Sequence, residues 1–240
     1  MQPDRMTTQT RAGAQVDAGL RAHFIRVYNI MSFGLVVTGL MAWVTSITPA
    51  LYEPLLAMRS NFLMAFIVMF SPMILAGFAF NPASIRKFSF QTLTMFFVAF
   101  SVYFGWLLST MFMIYSMGDI TRVFFITAGT FAAMSIWGYT SKKDLSTMKS
   151  FLMMGVIGLI IAIVVNAFMQ SSVMGFVISG AGVLIYTLMT AYDTQMIKES
   201  YHASYGDQAN GKMAVMGAFS LYINFIMLFQ FLMQFMGSRD

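Results

Sequence analysis

Asp193 is the residue with the most chemical potential in this chain. It lies within 182–198, GVLIYTLMTAYDTQMIK, and is the one acid set well inside a long apolar run. Burying a carboxylate charge in hydrocarbon costs about 2.5–3.5 kcal/mol on insertion scales, less near a helix end. An acid placed there is a candidate proton or cation site. Gly182, Tyr186, Thr190 and Asp193 recur at steps of four, four and three, which puts them on one helical stripe. Gly217, Ser220 and Asn224 form a second stripe in the next apolar run. Neither stripe suits lipid, so the two should face each other or a shared cavity. For Asn166, Thr190 and Ser220, ordinary interhelical hydrogen bonding is the simpler reading. For Asp193, a carboxylate reaching headgroup water competes with a buried site.

Other chemistries lack their residues. There is no cysteine, which excludes disulfides and thiolate metal centres. His23 and His202 stand alone, without metal-ligand spacing. No glycine-rich phosphate loop and no nucleophile elbow occurs. The 25 methionines and 25 phenylalanines suit bundle filling and lipid contact better than a thioether metal path. The expectation is a protein that is not an enzyme and has neither a cofactor nor a metal centre.

The elements that must position Asp193 follow from composition. Of the 240 residues, 58% are hydrophobic and 10% charged, against about 45–50% and about 25% in soluble domains. Seven apolar segments, 27–47, 62–80, 93–115, 123–139, 151–169, 173–197 and 213–236, each approach the roughly 17–25 residues that cross a bilayer as a helix. They are continuously apolar rather than alternating, which excludes a strand barrel. The expected fold is an all-α integral membrane protein, a seven-transmembrane helix bundle formed by one domain, 27–240. Turn formers separate the segments, among them Thr48-Pro49, Asn81-Pro82, Met117-Gly118-Asp119 and Gly206-Asp207. Pro72 falls inside the second segment and should kink it. Gly129 with Ala133, and Gly158 with Ala162 and Asn166, are small-residue faces that invite close helix packing.

Residues 1–26 form a tail. Residues 2–15 hold no apolar run and read as mobile, and the layout of a cleaved signal is missing. Val16, Leu20 and Phe24 then recur at helical spacing beside Arg21 and Arg26. That pattern fits a helix lying on the membrane surface or a cytosolic extension of the first span. Basic residues set the orientation. The tail and the second, fourth and sixth loops hold eleven of the fourteen Lys and Arg; Arg59, Arg122 and Arg239 lie on the other side. The excess places the N-terminus in the cytoplasm and, after seven crossings, the C-terminus outside. The net charge of +5 is spread over short loops, so it argues orientation and not nucleic-acid binding.

Several stretches carry a family resemblance. Tyr192-Asp193-Thr194-Gln195 with Ile197-Lys198 resembles the sixth-span signature of the transmembrane Bax inhibitor motif family, in its bacterial branch. So does Gly217-Ala218-Phe219-Ser220-Leu221-Tyr222-Ile223-Asn224-Phe225-Ile226 for the last span. Thr127-Ala128-Gly129-Thr130-Phe131 and the run from Gly138 to Ser146 are similar to the fourth span and its following loop. The resemblance extends from about residue 18 to 237. It implies a seven-helix bundle in the bacterial inner membrane and a pH-responsive cation leak, chiefly of calcium. It also implies facing aspartates on the last two spans. Asp193 matches the first; the second falls at Asn224, an amide, so only one member of the pair can titrate. An arginine latch is best matched by Arg86, for which a positive-inside anchor is the plainer reading.

Two functions are compatible with these residues. One is a passive cation leak, with calcium as the transported ion and Asp193 as its cytoplasmic-side gate. The other is a non-transporting regulator in the lipid bilayer that binds a membrane protease or a death-regulating partner. One geometric demand is sharp. With helices ending at 197 and starting at 213, a straight pairing leaves Asp193 and Asn224 on the order of 10 Å apart in depth. The resemblance implies that they meet.

Overall fold

The computed structural model describes the backbone of residues 3–59 and 61–237, and side chains from residue 18 onward apart from Arg59, Phe62, Met69 and Pro82. Among these residues the chain is all helical. The nine α-helices in order are α1 (Pro3–Ile47), α2 (Pro49–Arg59), α3 (Phe62–Ala79), α4 (Pro82–Lys87), α5 (Phe90–Ile114), α6 (Met117–Thr140), α7 (Lys149–Met169), α8 (Ser172–Ser200) and α9 (Gly206–Met236). Short 3₁₀ turns at Leu145–Met148 and Ala203–Tyr205 precede α7 and α9. Six helices or helical stretches are long and apolar enough to cross a membrane, and up to seven if α2 and α3, bent by 114°, form one span.

Several boundaries differ from the sequence expectation, each for a local reason. Residues 49–59, expected as loop, form α2, whose Leu51 carbonyl accepts the Trp106 indole N–H of α5 at 2.9 Å. Met117-Gly118-Asp119, expected as a breaker, is the first turn of α6. Ser116 caps it by accepting from the Asp119 amide at 3.1 Å, and donates back to the Asp119 carboxylate. Helix α1 carries the tail and the first span without interruption from Pro3, including most of the stretch expected to be mobile. That is the extension arrangement; Val16 lies outside the described side chains. Pro72 sits inside α3 and leaves the Val68 carbonyl without its helical N–H. The Ser71 hydroxyl donates to that carbonyl at 2.6 Å.

Helix α9 is the centre of the bundle. Val215, Ala218, Leu221, Tyr222, Leu228 and Met233 are completely buried, and they fall on more than one face, as in a helix surrounded by others. Helices α1, α5, α6 and α8 pack around it. Phe219 stacks on Phe80 and meets Phe100 edge-on, and Tyr222 meets Phe97 edge-on. Helix α7 lies at the periphery and exposes Phe151, Met154, Ile157, Ile161 and Phe168, an apolar face suited to hydrocarbon.

Close helix approach occurs at glycines other than those expected. A Cβ on Gly129 or Gly158 would meet nothing within 4 Å, and Gly129, Ala133 and Gly158 are exposed. Close helix approach therefore does not occur at these three residues, whereas Ala162, on the Gly158 face, packs against the core. At Gly138 of α6 a Cβ would stand 2.2 Å from the Ala191 carbonyl oxygen of α8, and at Gly217 of α9 it would stand 2.8 Å from Ile197. These two glycines draw α6 and α9 against the end of α8 that carries Asp193.

Candidate functional site: a carboxylate–amide pair between α8 and α9

The register between α8 and α9 brings the two stripes together. Ile197 lies against Gly217, Tyr186 stacks on Phe231 with ring centroids 5.7 Å apart, and the Ser179 hydroxyl faces Gln234. In the same register the Asn224 side-chain amide donates to Asp193 Oδ2 at 2.7 Å. The depth problem disappears because the two helix ends are not level: α9 starts at Gly206, seven residues before the expected boundary, and its start projects beyond the end of α8. Asn224 is eighteen residues into α9, whereas Asp193 is seven residues from the end of α8. The two helices are therefore offset by about 16 Å at about 1.5 Å per residue. The first three turns of α9 run past α8 and pack on α1, α4 and α5. Arg26 pairs with Asp207 at 2.9 Å, Gly211 abuts Phe90, and Lys212 donates to the Ile85 carbonyl at 3.2 Å.

Asn224 is buried and Asp193 half-buried. Among the described residues no Lys, Arg or His forms an ion pair with Asp193; the one ion pair there is Arg26–Asp207. The carboxylate is thus held by an amide dipole and not neutralised by a cation. Such a group can take up a proton or bind a passing cation, and Asn224 holds it toward α9.

The other candidate residues divide. Tyr186 and Thr190 share the buried stripe with Asp193, but the Thr190 hydroxyl donates to the Tyr186 carbonyl at 2.8 Å and so is satisfied within α8. Ser220 is half-buried on α9, one turn from Asn224. Asn166 stands near the opposite end of α8 and serves the α7–α8 turn. Its side-chain oxygen accepts from the Ser171 amide at 3.1 Å, beside Gln170 in the left-handed region at φ 51°. It does not join the pair. Arg86 is exposed in the last turn of α4 and has no ion pair with Asp193.

Three features escape the sequence reading. Gln195, two residues beyond Asp193, accepts from the Leu145 amide at 2.7 Å and donates to the Lys143 carbonyl at 2.9 Å, which ties the α6–α7 connection to α8. Lys198 donates to the Tyr139 carbonyl at 2.9 Å and lies over the Tyr139 ring. In that connection Ser146 hydrogen bonds, first from its side chain and then from its backbone, hold the Asp144 carboxyl below its usual range. The third is a buried network through α1, α5 and α9. The Thr38 hydroxyl donates to the Ser101 carbonyl at 3.0 Å, so the Tyr222 hydroxyl, 2.6 Å away, donates to Thr38. Gln195 and Tyr222 both stand within the quoted motifs; nothing in the sequence marks Thr38.

A cleft of about 510 Å³ opens where α1, α5 and α9 meet, and an apolar cavity of about 100 Å³ lies among α1, α5, α6 and α9. Neither is lined by Asp193 or Asn224.

These features define a multi-pass, all-helical integral membrane protein with one carboxylate–amide pair between its last two helices. A family model described as "Inhibitor of apoptosis-promoting Bax1" matches residues 20–240. An uncharacterized protein of Caulobacter vibrioides is 41% identical over 95% of this chain and 93% of its own length. The inner membrane protein YbhL of Escherichia coli is 35% identical over 94% and 95%. The chain belongs to the Bax inhibitor family.

Proposed function

We propose that the protein is a passive cation leak of the bacterial inner membrane, with calcium as the transported ion and the Asp193–Asn224 pair as its gate. The observation that carries this reading is the 2.7 Å hydrogen bond from Asn224 to a carboxylate that has no ion-pair partner among the described residues, set between two apolar helices. A carboxylate without a Lys or Arg partner among the described residues can receive a mobile cation. In this proposal the chain crosses seven times. Helix α3, 18 residues and about 27 Å long, is the second crossing, and α2 lies at its mouth. The excess of Lys and Arg in alternate loops puts the N-terminus in the cytoplasm and the C-terminus outside. Gating is modulated by pH through Asp193 alone, since Asn224 does not titrate. The protein is neither an enzyme nor a holder of a resident cofactor or metal.

One observation favours a second reading. Neither of these two cavities is lined by the pair, and a pair set apart from them suits a regulator that acts by binding a membrane protease or another membrane protein. Calcium flux into liposomes that hold only this protein separates the two. The leak reading expects uptake above that of empty liposomes. Uptake equal to the empty control, with folded protein in the bilayer, leaves the regulator.

A further inference from the structure

The cleft at one end of the bundle is not used by the gate. Its walls come from α1, α5 and α9, with a volume of about 510 Å³, within the roughly 300–1,000 Å³ of small-molecule sites. Arg26, Asn29, Gln91 and Asp207 supply polar groups; Ile30 and Phe90 supply apolar wall. Its depth in the membrane can be read from the sequence. Arg26 is the last charge on α1 within its span, Lys212 the last on α9, and α5 carries none from Phe90 onward. On all three helices the cleft straddles the step from charged to uncharged residues, which is the level of lipid headgroups.

The charges are arranged for a zwitterion. Arg26 Nη1 and Asp207 Oδ1 are 2.9 Å apart across α1 and α9, and Asp207 is 88% exposed. This single contact uses one donor of a guanidinium that has five, and one oxygen of a carboxylate that has two. We propose that the cleft binds a phospholipid headgroup carrying a phosphate and a primary ammonium, of the phosphoethanolamine type. The phosphate accepts from Arg26, the ammonium donates to Asp207, Asn29 and Gln91 serve the ester oxygens, and the first acyl carbons run along Ile30. The same geometry sets the selectivity. A phosphocholine has no N–H to give Asp207. A phosphoglycerol brings no cation and leaves its phosphate facing the carboxylate.

The test uses the full-length protein in detergent, titrated with short-chain phosphatidylethanolamine, phosphatidylglycerol and phosphatidylcholine and read by native mass spectrometry. Phosphatidylethanolamine should bind tightest. Asp207→Asn should weaken it by about tenfold, the loss of one charge-assisted hydrogen bond, and should not weaken phosphatidylglycerol. Asp207→Glu, which keeps the carboxylate, should retain the preference, which separates recognition from damage to the fold. Arg26→Gln should weaken all three lipids. Glycerophosphoethanolamine without acyl chains, added as competitor, should displace the lipid only weakly. Displacement at equal concentration supports the same recognition with a soluble source for the zwitterion. Equal binding of the three lipids, or a preference that survives Asp207→Asn, overturns the proposal.

Discussion

Gly138 of α6 and Ala191 of α8 touch backbone to backbone: a Cβ on Gly138 would lie 2.2 Å from the Ala191 carbonyl oxygen. Asp193 is two residues further along α8, so this contact fixes the wall opposite α9. Gly138→Ala should push α6 from α8 and lower stability by about 1–3 kcal/mol. Gly129→Ala, on the same helix with nothing within 4 Å, should be neutral or slightly stabilising, because alanine is the better helix former. Thermal unfolding of both variants in one detergent checks the contrast.

The network Tyr222–Thr38–Ser101 makes a second stability prediction. Tyr222→Phe removes one donor and leaves Thr38 bonded to the Ser101 carbonyl. Its cost should be about 1 kcal/mol. Thr38→Val removes the 2.6 Å partner of the completely buried Tyr222 hydroxyl and should cost up to about 3 kcal/mol. The double variant should be less destabilised than the sum of the two, and a double-mutant cycle by denaturation measures the difference.

Much of this architecture can be read in the sequence. The apolar runs foretell the membrane-crossing helices, and steps of four and three put Asp193 on the face that meets α9. Three kinds of information cannot be read there. Helix ends are one: Gly206-Asp207 and Asn210-Gly211 look like turns, yet α9 begins at Gly206 because its first turns bury against α1, α4 and α5. Packing glycines are another, since spacing treats Gly129 and Gly138 alike and only the neighbouring helix distinguishes them. Partners distant in sequence are the third. Thr38 pairs across 184 residues with Tyr222, and no local pattern announces that.

Asn224→Asp places a second carboxylate at the 2.7 Å contact. Two carboxylates this close share a proton, and their titrations couple. Cation flux through the variant should depend more steeply on pH near neutrality than flux through the natural chain. Superimposable pH profiles would mean that the two side chains do not act together.

The seven-crossing topology has a direct check. A periplasm-active reporter fused after Asp240 should be active, and the same reporter at the N-terminus inactive. Activity of a cytoplasmic reporter at the C-terminal position would mean an even number of crossings, with α2 and α3 turning back within the bilayer.

The gate itself rests on the Asp193 carboxylate, and Asp193→Asn removes its charge while keeping its shape. The variant should remain in the membrane and melt at the same or a higher temperature, because a buried charge without a cation partner is lost. Calcium flux into liposomes should then be measured for equal amounts of folded wild-type and variant protein. We expect a measurable wild-type leak that falls by about tenfold in Asp193→Asn, the scale of one lost contact between a carboxylate and a cation. An unchanged leak in the variant would contradict a gate at Asp193.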